Sequence, residues 1–207
     1  MAQRKKPVDR RDEIRDAAAA LALKEGLGRI TSRRIADEVG VRSGLVTHYF
    51  NPIDELVAAA FSQVVVSERA VIAAVVASAE TSTAQVRLML SAYISPVRDP
   101  LSLLWLDAWR HAADRPALRA AVVEQMELDV AGMEALIRNG VETGEFSTAS
   151  PSRAAMRILA VLDGQVVSSA VRAALNGSSL DYPTVEDLLF LTAERELGLA
   201  SGTLHPK

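Results

Sequence analysis

Residues 31–50, TSRRIADEVGVRSGLVTHYF, hold the part of this 207-residue chain whose residue types and spacing point to chemistry. Thr31 or Ser32 is placed to N-cap a short helix. Ile35 and Val39, one turn apart, form its inner face, and Ala36 is small where a second helix must cross closely. Gly40 breaks the helix by adopting positive φ, and Val41 plugs the turn. A second helix starts near Ser43, and Val46, Tyr49 and Phe50 share one of its faces, predicted to pack on Ile14, Leu21 and Ile35. The opposite face carries Gly44, Thr47 and His48, flanked by Arg42, Ser43 and Leu45. A small, polar face is what entry into a DNA major groove requires, because bulk holds a helix away from base edges. Thr47 offers a hydroxyl or a methyl to a base, and His48 a donor to base or phosphate. Thr31, Ser32, Arg33 and Arg34 lie where the preceding helix would meet the phosphate backbone. From pattern and charge alone, a small three-helix bundle with charged loops stays open as the alternative.

The rest of the chain must position this segment. Its apolar residues recur at three- and four-residue spacings with no sustained strand-like alternation, so the expectation is an all-α fold of about nine helices. A basic arm occupies 1–8. Asp9 then caps a helix that carries Ile14, Ala17, Ala18 and Leu21 inward and stops near Gly26 and Gly28. Pro52 opens a long helix through Leu56, Ala60 and Val64 to past Val71. Helices follow around Val86, Leu90 and Tyr93, around Leu101, Leu104, Trp105 and Ala108, and along a stripe from Leu118 to Val141 ending at Gly144. Ser150 caps the next, with Pro151 at its first position, and Thr184 starts the last, which runs to Gly198. The expected domains are 1–51, arm and helix-turn-helix; 52–200, a larger helical domain; and 201–207, a loose tail.

Composition narrows the function. Residues 1–50 hold 11 Lys/Arg against 7 Asp/Glu, a net of +4, while the remainder nets −7. A basic head on an acidic body is the asymmetry of a chain that meets phosphate at one end. With no cysteine, disulfides, thiolate zinc sites and cysteine nucleophiles are excluded, and a reducing cytoplasm fits. His48, His111 and His205 stand on different elements, and no metal-ligand, nucleophile-elbow or phosphate-loop motif is present. No enzyme, cofactor or metal is therefore expected. Residues 1–16 contain no apolar signal core, and the apolar run 71–79 falls short of the ~20 residues of a bilayer span, so no membrane partner is expected either.

The run IADEVGVRSGLVTHYFNPIDEL resembles the helix-turn-helix signature of the TetR family of bacterial repressors, especially its BetI-like branch. Thr31, Ile35, Ala36, Gly40, Val41, Gly44, His48, Tyr49, Phe50, Glu55 and Leu56 match the family pattern over about the first sixty residues. The resemblance implies DNA backbone contacts from Thr31, and base or backbone contacts from Arg42, Ser43, Gly44, Thr47, His48 and Tyr49. Ile53 stands where many members place a phosphate-binding lysine, and Thr47 where many have an aromatic. The first departure puts that phosphate contact in doubt; the second implies a different base preference.

The resemblance further implies a repressor that leaves a pseudo-palindromic, double-stranded operator when a small-molecule effector binds the larger domain. Large residues on the helices expected around such a cavity are Phe61, Met89, Tyr93, Trp105, Trp109, Met126 and Met133, with His111 beside them, although each could equally be core. Asp163 and Gln165, polar in an otherwise apolar helix, fit a dimer contact or an interhelical hydrogen bond better than a ligand contact. The last two long helices are expected to form a homodimer, with Ala154, Gly164, Ser168, Ser169, Ala170 and Ala173 giving close approach and Val161, Leu162, Val166, Leu188 and Leu191 apolar area. Two alternatives stay open: an activator or ligand-independent regulator of the same type, and a helical scaffold without DNA binding.

Overall fold

The computed structural model describes residues 7–175 and 187–205. Residues 1–6 of the expected basic arm (1–8) and the Thr184 helix start lie outside them. Among the described residues are nine α-helices and two short 3-10 helices, and no strand. They run α1 Pro7–Glu25, a 3-10 turn Leu27–Arg29, α2 Ser32–Val39, α3 Ser43–Tyr49, α4 Ile53–Val76, α5 Ser82–Tyr93, a 3-10 turn Pro96–Arg98, α6 Asp99–Ala112, α7 Pro116–Glu142, α8 Pro151–Ala174 and α9 Leu188–Leu197. α1 does not start at Asp9 but is already helical at Pro7, a residue that tolerates a first turn because its missing N–H has no partner there.

Local chemistry sets several boundaries. Thr31, Thr81 and Ser150 each accept a hydrogen bond from the backbone N–H three residues on, capping α2, α5 and α8. α5 has a second cap from afar: the Glu145 carboxylate accepts the Ser82 and Thr83 N–H groups at 2.9 and 2.8 Å. The Thr83 bond, with that from Ser82, holds the Glu145 carboxyl below its usual range against the opposing effect of burial. Gly198 closes α9 at φ 69°.

The helices sort into two compact units, Met1–Ser67 with Leu103–Gln125, and Glu68–Ser102 with Met126–Lys207. α4, α6 and α7 are each divided between them, so the first unit reaches beyond the boundary expected at residue 51. In that unit Ile14, Leu27, Ile35, Val46, Leu56, Phe61 and Leu118 are fully buried. α4 is fastened there at both ends of its first half. Asp54 accepts the Ala117 N–H at 3.1 Å, and Gln63 bridges Arg15 and Asp16 of α1. The second unit buries Val86, Leu90, Met133, Ile137, Ile158, Leu189 and Leu197 in one core.

Residues 201–205, expected as part of a loose tail, are held in place. Glu194, 2% exposed, accepts the backbone N–H groups of Gly202 and Leu204 at 3.0 and 2.7 Å, and Leu204 is completely buried. A buried carboxylate is held by amide donors, and the following leucine fills the core beside it. α4 and α8 are long and apolar enough by composition to cross a bilayer, which the shorter run 71–79 does not convey. Core helices meet the same criterion, and both bury residues inside the units: Leu56, Ala60 and Ile72 from α4, Ala155 and Ile158 from α8.

Candidate nucleic-acid interface and ligand cavity

In the first unit, α2 and α3 meet across a turn built by glycine. Gly40 sits at φ 68°, and both its own N–H and that of Val41 return to the Ala36 carbonyl, the latter at 2.9 Å. Arg42, extended, opens α3. Val46 and Phe50 are buried, so α3 is clamped by one face, and Arg11 of α1 lays its guanidinium 4.6 Å from the Phe50 ring centre.

That clamp turns the other face outward. Arg42, Ser43, Gly44, Thr47 and His48 are exposed, while Leu45 and Tyr49 are half-buried. The Thr47 hydroxyl donates to the Ser43 carbonyl at 3.0 Å, which leaves its lone pairs and methyl for a partner. The His48 and Tyr49 rings meet edge to face, centroids 5.3 Å apart. On α2, Thr31 and Arg33 are exposed and Ser32 is half-buried. Arg33 and Arg42 make no ion pair among the described residues. Arg34 differs: it pairs with Glu25 at 2.8 Å and Glu38 at 3.5 Å, so its charge is largely spent inside the protein.

The 3-10 turn ahead of α2 is held by α6. Asp107 accepts the Leu27 N–H at 2.7 Å in the 3-10 turn just ahead of α2, and His111 stands 3.3 Å from the same carboxylate. His111, a candidate for ligand contact, is thus a neighbour of this support.

The second unit contains a cavity of about 390 Å³. Met89, Tyr93 and Met133 line it. Phe61, Trp105 and Trp109 do not, because they pack on one another in the first unit, with Phe61 and Trp105 edge to face at 4.9 Å and the two tryptophans 5.8 Å apart. Met126 is 43% exposed and also off the wall. Most of the wall is aliphatic and small: Ile72, Ala73, Val76 and Ala77 from α4, Leu128, Gly132 and Leu136 from α7, and Leu159 from α8.

The charged pair on the wall is what the sequence did not single out. Arg69 of α4 donates to Asp129 of α7 at 2.9 Å, with Gln85 and Tyr93 on the same cavity. Arg98 grips Glu68 through both carboxylate oxygens, donates to the Tyr93 carbonyl at 2.8 Å, and lies 4.4 Å over the Tyr93 ring. Burial, then the Asp129 charge, push the Tyr93 phenol up to about 12, so it stays protonated. Burial also raises Asp129 despite its bond to Arg69. Asp163 of α8 is pushed up to about 6 by burial and then by Asp129, with Arg98 opposing. A sequence signal existed for Asp163, which interrupts an apolar run, but nothing local told which charges would meet.

On α8 and α9, Gly164, Ser168, Ser169, Ala173, Leu188 and Leu191 are exposed, and Val161 and Val166 half-buried. Ala154, Leu162 and Ala170 are not available to a partner chain, because the unit's own packing buries them.

Residues 14–60 match the family model for bacterial regulatory proteins of the tetR family, and 82–190 match that for the C-terminal domain of BetI-type transcriptional repressors. No curated protein matches the chain. Among solved structures, a transcriptional regulator from Pseudomonas aeruginosa PAO1 superposes with a TM-score of 0.74 at 21% identity, over 94% of this chain and 93% of that one. A regulator from Saccharomonospora viridis in complex with choline gives 0.74 at 16% identity, over 92% and 98%. FadR from Bacillus subtilis in complex with stearoyl-CoA gives 0.67 at 18% identity, over 90% and 97%. At these identities the structures establish a shared fold, and the two family models, one of them spanning more than half of the sequence, establish kinship: the chain belongs to the TetR family of transcriptional regulators, with a C-terminal domain of the BetI type.

Proposed function

We propose that this regulator is a homodimeric repressor that seats two copies of α3 in successive major grooves of a pseudo-palindromic operator and is released when a small molecule fills the cavity of the second unit. The observation that carries the reading is the division of α3 into a buried face, Val46 and Phe50, and an exposed face free of bulky aliphatic side chains, Gly44, Thr47 and His48. On that reading Thr47 and His48 contact base edges, with Ser43, Gly44, Leu45 and Tyr49 beside them. Thr31, Ser32, Arg33 and Arg42 hold phosphates. Two-fold pairing through α8 and α9 is supported by their exposed apolar residues, Met156 at 52%, Leu188 at 44% and Leu191 at 38%. Release follows only if the ligand binds the non-DNA conformation better, since equal affinity for both shifts nothing. Structural neighbours holding choline and stearoyl-CoA support ligand response in this fold, while their unlike ligands leave the effector of this chain to be read from its own cavity.

The test is fluorescence anisotropy of the purified protein on promoter DNA from beside its own gene, across a salt series. Binding weakened by salt is expected, lost in Thr47→Ala/His48→Ala, with the salt slope reduced by about one in Arg33→Ala and again in Arg42→Ala. Absence of binding there and in a random-sequence selection overturns the proposal.

A further inference from the structure

We infer that the cavity of the second unit takes an aliphatic ammonium ion that still carries N–H donors, a protonated alkylamine, in preference to a quaternary ammonium or a carboxylate. The inference rests on the ligand-released reading above and names the chemistry of that same site.

The aliphatic wall fixes the body of the ligand. Its charge follows from the ions around the polar corner. Glu68, Asp129 and Asp163 supply three carboxylates and Arg69 and Arg98 two guanidiniums: Asp129 is within Coulombic reach of the other four, and Asp163 of Asp129 and Arg98. Both arginines are committed, Arg98 to Glu68 and the Tyr93 carbonyl, Arg69 to Asp129. Asp163 makes no hydrogen bond among the described residues, so the group carries one negative charge in excess. A cation entering beside Asp129 balances it. A carboxylate entering there would double the excess instead of balancing it.

The kind of cation follows from what faces it. Recognition of a quaternary ammonium uses aromatic faces. Tyr93 is the one aromatic on this wall among the described residues, and Arg98 already occupies a face of its ring. What remains is oxygen: the Asp129 carboxylate, the Gln85 side-chain carbonyl, and the Tyr93 hydroxyl, which makes no hydrogen bond among the described residues. Oxygen acceptors reward a donor that brings N–H groups, and a trimethylammonium brings none.

The experiment is calorimetric titration of the full-length protein with n-octylammonium, octyltrimethylammonium and octanoate at pH 7.5, repeated at pH 5. Octylammonium is expected to bind tightest, by about tenfold or more over either rival, the scale of one charge interaction in a partly buried site. At pH 5 its affinity falls, because Asp163, facing Asp129 from α7 and Arg98 from the 3-10 turn, is then largely protonated while the alkylammonium keeps its charge. Asp163→Asn is expected to lower it likewise at pH 7.5. Equal or tighter binding of octanoate or of octyltrimethylammonium overturns the proposal, as does absence of binding by all three. DNA release is read separately by anisotropy. If octylammonium binds but leaves DNA bound, the ligand class stands and the release reading falls; if octanoate binds and frees DNA, the reverse holds.

Discussion

Asp107 holds the DNA-reading head through one backbone amide, and removing it has a calculable effect. The carboxylate accepts the Leu27 N–H at 2.7 Å, Leu27 is fully buried, and the Asp107 side chain is 22% exposed. The contact is close enough that a carbon added to Gly26 would lie 3.0 Å from the same oxygen. Asp107→Ala leaves a buried amide without a partner and loses a charge-assisted bond, a cost of about 1.5–3 kcal/mol. Asp107→Asn keeps an acceptor oxygen in place and should cost about 1 kcal/mol or less. Ile30 and Thr31, the lead-in to α2, follow directly on this turn, so part of the loss should reach function. If about 1 kcal/mol of it is carried into DNA binding, the operator Kd rises about fivefold. Urea unfolding at fixed protomer concentration measures the first quantity, anisotropy the second, and hydrogen exchange at the Leu27 amide reports the contact itself. An Asp107→Ala protein as stable as wild type within about 0.5 kcal/mol, with Leu27 still protected, would refute the reasoning.

Two further expectations concern the second unit. Gly140→Ala should destabilise by about 1–3 kcal/mol despite the gain of about 1 kcal/mol in helix propensity, because its new carbon would lie 2.0 Å from the buried Phe146 ring; Gly132→Ala, whose carbon meets nothing within 4 Å, should be neutral or stabilising in the same urea assay. Asp163, raised from 3.8 to about 6, binds more protons folded than unfolded between those values, so its ionisation lowers stability as pH rises from about 4 to 6. Asp163→Asn should accordingly stabilise by about 1–3 kcal/mol at pH 7.5 and by little at pH 4, and equal gains at both pH values would show that charge is not the cause.

The helix-turn-helix was legible because everything that specifies it is local. A cap, an apolar pair one turn apart, a glycine and a second apolar face all fall within twenty consecutive residues, and the outward face is simply what the inward face leaves over. The Ser150–Pro151 helix start and the Gly198 stop were readable for the same reason. The closing segment was not: whether 201–205 is loose depends on Glu194, whose acceptance of two backbone amides turns a charged residue of a helix into an anchor. No periodicity distinguishes such a glutamate from a solvated one.

The cavity resisted reading for a different reason. Choosing candidate ligand contacts by size favours Phe61, Trp105 and Trp109, but large side chains fill space, and these three fill it with each other. An opening forms where side chains are short, and this one is bounded in part by Ala73, Ala77 and Gly132. Its chemistry comes from Arg69 and Asp129, sixty residues apart, which become a pair only once α4 and α7 lie side by side in the second unit. A binding face made by one helix is written along the sequence, while a pocket is the space several helices leave between them and becomes visible only once they are packed.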